Sequence, residues 1–164
     1  MIQSDDDPSG IFFEGSRRVP AGADYLGEHR GLGVSTIQFK VAGAGSPDLL
    51  ILENTFHARG GPPRHLHLMQ DEWFYAVEGT FALEIGAERM TLSPGESAFA
   101  PRMIPHVWAH VGEGRGRMVI VFTPAGQMEA FFRVVTAKNA MPGMDPALLR
   151  AHGMELLGPP LALP

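Results

Sequence analysis

From residue 34 to residue 124 the chain runs only short distances before a turn-forming residue interrupts it. "VSTIQFKV", "LLILENTF", "EWFYAVEG", "TFALEIGAERMTL", "ESAFAP", "HVWAHV" and "RMVIVFTP" are short runs, most of them alternating. Glu78-Gly79, Ile85-Gly86, Pro94-Gly95 and "GEGRG" punctuate them, and "AGAGSPD" follows the first. In that first run Val34, Thr36, Gln38 and Lys40 share one face, while Ile37, Phe39 and Val41 share the other. The 20 glycines and 14 prolines supply the turns. Short alternating runs at regular spacing specify an all-β sandwich or barrel.

After Pro124 the period changes. Met128, Phe131, Phe132 and Val135 recur at helical spacing and form one apolar face. Asp145 as N-cap, Pro146 at the first helical position and Gly153 as a stop mark a second, shorter helix. The reading is therefore a mobile tail over 1–10, a β-barrel over 11–124 and a helical appendix over 125–164. The helices are expected to cover the barrel or a partner subunit.

The chain has no cysteine, so disulfides, thiolate metal sites and thiol nucleophiles are excluded. A net charge of −5 argues against nucleic acid or an anionic membrane as partner. The first residues lack a signal peptide's basic and apolar regions, and no apolar run approaches the roughly 18 residues of a membrane span. A soluble, cytoplasmic protein is expected. "VAGAGS" and "GEGRG" lack the third glycine of a dinucleotide loop and read as hairpin turns.

The chemistry concentrates in "PPRHLHLMQDEWFYAVEG", residues 62–79. Alternate residues of a strand point the same way, so His65 and His67 project side by side. On a helix the same pair would diverge by about 200°. Glu72 can return toward the same centre after a bend, and His106 can bring a third imidazole from a later strand. Three nitrogens and a carboxylate suit Fe(II), Mn(II), Ni(II), Cu(II) or Zn(II) without choosing among them.

These residues resemble the two motifs of the cupins. His65-Leu66-His67, Glu72 and Gly79 fit the first motif, with Gly60 one residue closer to the histidines than usual. Pro101, His106 and His110 fit the second, with Met103 in place of its glycine and His110 in place of its asparagine. Pro94-Gly95-Glu96 stands at the turn between them. The resemblance implies a double-stranded β-helix, a jelly-roll barrel, with the metal inside on His65, His67, Glu72 and His106. It also implies a homodimer.

Phe74, Phe99, Trp108 and His110 are the candidate walls of a substrate pocket. His57 can reach the cavity but is better read as structural, and His29 and His152 are read as surface. The leading functional expectation is a dioxygenase similar to the quercetin-dioxygenase-like cupins, acting on a phenol or enol, with Glu72 as base. The alternatives are a non-catalytic small-molecule or metal binder, and a metal-assisted isomerase or decarboxylase on the same ligands.

Overall fold

The structure is a computed structural model that describes residues 18–43, 48–141 and 143–164. The expected tail over 1–10 and part of the "AGAGSPD" turn lie outside the described residues. Among the described residues, eleven strands and two helices follow in order: β1 Arg30–Leu32, β2 Ser35–Val41, β3 Leu50–Phe56, β4 Pro63–His67, β5 Asp71–Glu78, β6 Phe81–Ile85, β7 Glu88–Leu92, β8 Ser97–Ala100, β9 His106–His110, β10 Gly116–Thr123, α1 Met128–Ala137, α2 Pro146–Ala151 and β11 Met154–Pro160.

The strands form two antiparallel sheets. One has the order β1-β2-β3-β10-β5-β8 and the other β11-β4-β9-β6-β7. Alternation selects the inner face. Ile37 and Phe39 of β2, Leu50 and Leu52 of β3, and Phe74 and Ala76 of β5 are buried. Ring contacts join the two sheets through the interior. Phe56 lies 5.9 Å from Phe81 and 5.7 Å from Trp108, and Phe74 lies 5.8 Å from Trp108. The expected jelly-roll barrel is the observed fold.

Two connections differ from the sequence reading. "GEGRG" links β9 to β10, which lie in different sheets, so it carries the chain across the barrel and is not a hairpin. The appendix over 125–164 is only partly helical, because Met154–Pro160 is a strand on the edge of β4. Met, Glu and Leu at its start favour a helix intrinsically. The open backbone edge of β4, which only the assembled sheet creates, decides for a strand.

α1 packs Met128, Phe131 and Val135 inward, the face its periodicity specifies. The Asp145 side chain accepts from the Leu148 N–H at 3.0 Å, and Pro146 opens α2 as expected. Gly153, at φ +76°, turns the chain from α2 into β11. A buried pair anchors the N-terminal segment. Arg30 Nε donates to Asp24 Oδ2 at 3.2 Å, while Asp24 also accepts from the Phe39 N–H at 2.8 Å.

Candidate metal centre

β4 sets the first two side chains. Pro63, His65 and His67 face the interior, whereas Arg64 and Leu66 are only half-buried on the outer side. β9 places His106 directly opposite His65 in the β4–β9 register. β5 comes from the other sheet and turns Glu72 inward, beside Phe122 of β10. The four residues are buried, and each offers a ligand atom within 4.8 Å of the others. The sequence-expected set therefore meets at one point.

Hydrogen bonds fix which nitrogens face that point. His65 Nδ1 lies 2.7 Å from the Pro63 carbonyl and His106 Nδ1 lies 3.0 Å from the Ile104 carbonyl. A carbonyl only accepts, so each Nδ1 carries a proton and Nε2 is the atom each ring has left to offer a metal. Such outer partners are what orient imidazole ligands in metal sites. Glu72 Oε2 is 2.9 Å from His106 Nε2 and 3.1 Å from His67 Nε2. His67 Nδ1 is buried without a hydrogen-bond partner.

The electrostatics suit a cation. Burial pushes the His65 pKa down to about 3, helped by His106 and His67, so the ring stays neutral. Burial alone would raise Glu72, but hydrogen bonds from His106 and His67 outweigh it and hold the carboxyl below its usual range. Burial likewise opposes a charge on His106, yet the hydrogen bond and charge of Glu72 prevail and raise its pKa. An ionised carboxylate and imidazoles converging in a buried interior form a donor set for a divalent ion.

The turn that resembles the start of the second cupin motif is built without a glycine. Met103 adopts φ +67°, and its N–H donates to the His67 carbonyl at 2.7 Å. Next to it Arg102 grips Asp71 through three contacts, from the backbone N–H at 2.8 Å, Nε at 3.0 Å and Nη2 at 2.9 Å. This clamp joins the loop before His106 to the strand that carries Glu72. Sequence reasoning missed it, although opposite charges flanking the two motifs were the available signal.

A cavity of about 50 Å3 opens beside His65, His67 and Glu72. Leu52, Ile120, Phe122 and Trp108 line it, together with Met128, Phe131 and Phe132 of α1. Trp108 thus lines the pocket as expected, but three other candidates do not. Phe99 is 54% exposed, because Ala98 and Ala100 take the inward positions of β8. Phe74 is buried behind the cluster, 6.2 Å from the His106 ring, and not on the cavity wall.

His110 lies four residues along β9 from His106, about 13 Å at strand rise. Its ring packs on Phe81 at 5.3 Å and Phe56 at 5.7 Å, away from the cavity. Gly116 makes room for it, since a Cβ there would stand 2.4 Å from His110 Cδ2. His57 and His29 are exposed, and neither reaches the cavity. The sequence reading also missed Asn54 of β3 and the apolar β10 positions, whereas α1 covers the barrel, one of the two placements expected of it.

Residues 53–122, which include all four clustered side chains, match the Cupin domain family. The fold is the cupin fold. Among solved structures, the cupin fold recurs in KdgF from Halomonas sp., which is 26% identical with a TM-score of 0.52 over 59% of this chain and 86% of that one. An RmlC-like cupin from Shewanella frigidimarina is 24% identical with a TM-score of 0.55 over 70% and 96% of the two chains. The oxalate decarboxylase of Lactobacillus farciminis shares the fold at 13% identity and a TM-score of 0.50, over 59% of this chain and 31% of its own. No curated protein matches the chain in sequence. Among the described residues, no helix is long and apolar enough to cross a membrane.

Proposed function

We propose that this cupin-fold protein is a metal-dependent enzyme that acts on a small oxygen-bearing organic substrate, with dioxygenase-like chemistry as the leading form. The observation that carries the reading is the convergence of His65, His67, Glu72 and His106 beside a largely apolar cavity. A divalent ion held there would supply Lewis acidity and, for a redox-active metal, an electron path to oxygen. The chain's own residues do the rest. Leu52, Ile120, Phe122 and the α1 side chains exclude water and orient the substrate's carbon skeleton. Both imidazole contacts of Glu72 use Oε2, which leaves Oε1 to accept a proton from a substrate hydroxyl.

Cavity size discriminates between the two expected substrate classes. Benzene occupies an apolar protein cavity of roughly 150 Å3, three times the volume beside this site. A short enolic substrate matches this volume better than a phenol does. The test is metal analysis of the purified protein followed by oxygen-uptake assays with short enolisable acids and with phenols. Metal bound at about one ion per chain, with oxygen consumed, supports the reading. Substrate turnover with no oxygen uptake replaces it with a metal-assisted isomerase or decarboxylase. Binding without turnover leaves a small-molecule binder.

A further inference from the structure

Asn54 stands on the inner face of β3 between Leu52 and Phe56, and it is only 3% exposed. Its neighbours across the sheet are Met118 on β10 and Ile37 on β2, neither of which can satisfy an amide. Asn54 Oδ1 is buried and has no hydrogen-bond partner. The same side chain lines the cavity beside the metal centre, where the other walls are aliphatic, aromatic or thioether. A carboxamide is costly in such a wall, and a buried polar atom with no partner calls for an explanation.

We infer that Asn54 is the residue that recognises the substrate's second polar group, a hydroxyl carried on a short chain whose oxygen-bearing head faces His65, His67 and Glu72. This rests on the metal-dependent reading and sharpens it. A hydroxyl both donates and accepts, so it satisfies a carboxamide in either orientation. Leu52, Ile120 and Phe122 line the same cavity, and such apolar side chains suit methylene groups. The cavity of about 50 Å3 limits the ligand to a few non-hydrogen atoms. Together these features select a short hydroxy acid, of three or four carbons, over an unsubstituted acid of equal size.

The experiment compares 3-hydroxypropionate with butyrate, which differ by a hydroxyl in place of a methyl. Cobalt(II)-loaded wild type and Asn54→Leu are titrated with each, reading the visible absorption of the metal, and melting temperatures of both metal-free proteins are recorded. Wild type should favour 3-hydroxypropionate by about tenfold, the scale of one hydrogen bond. N54L should lose or reverse that preference, and its metal-free form should melt at or above the wild-type temperature. Equal preference in the two proteins, or failure of wild type to bind either acid while cobalt is held, overturns the inference. A less stable or unfolded N54L also overturns it, because the amide would then be a structural member. If cobalt itself does not bind, the metal-dependent reading falls, and the melting comparison still judges Asn54.

Discussion

His106 Nε2 lies 2.9 Å from Glu72 Oε2, although the two residues are 34 positions apart and come from different sheets. That contact joins the two motifs at their chemical centre. Glu72→Gln keeps the shape and removes the negative charge. It should lower divalent-metal affinity by at least the roughly 10–100-fold typical of losing an outer-sphere partner. Competition against a chromophoric chelator measures this. An unchanged affinity would remove Glu72 from the ligand set.

Met103 holds φ +67° at a position where the family's motif has glycine. Its side chain is 56% exposed, so little packing compensates for the left-handed backbone. Met103→Gly should therefore stabilise the protein by about 1 kcal/mol. For a domain of this size that corresponds to a melting temperature higher by roughly 2–4 °C. A lower melting temperature would show that the methionine side chain contributes more than its backbone costs.

Asp71 carries a pH dependence of definite sign. Hydrogen bonds from Arg102 hold its pKa at about 2, below the ordinary 3.8. The unfolded chain therefore binds the proton more readily, and stability falls as pH drops from about 3.8 through about 2. Asp71→Asn should be less stable than wild type at neutral pH, and the gap should close across that acid window. Denaturant melts at several pH values read it out. A gap that persists at pH 2 would mean that the carboxylate charge is not what the clamp uses.

The two faces of α1 should respond differently to truncation. Phe131 is buried against the cavity, whereas Val134 is 37% exposed. Phe131→Ala should cost about 3–5 kcal/mol, as for other buried aromatic truncations. Val134→Ala should stay within about 0.5 kcal/mol, as for surface positions. Equal effects in chemical denaturation would contradict the role of α1 as the cavity's cover.

Local spacing and tertiary placement divided this protein between them. Period-two alternation made the barrel legible, and it put His65 and His67 on one face because successive strand residues point to opposite sides. Helical spacing likewise identified Met128, Phe131 and Val135 as one face of α1. Those relations depend on neighbours along the chain, so the sequence by itself determined them. Strand parity could not say which inward residues would meet the cavity. Phe99 turned outward because two alanines took the inner face, and His110 ran out of reach along β9. Asn54 joined the cavity from β3, Met154–Pro160 became an edge strand, and α1 came to line the cavity. These outcomes depend on which strands of the two sheets face each other, and that relation exists only once the chain has folded.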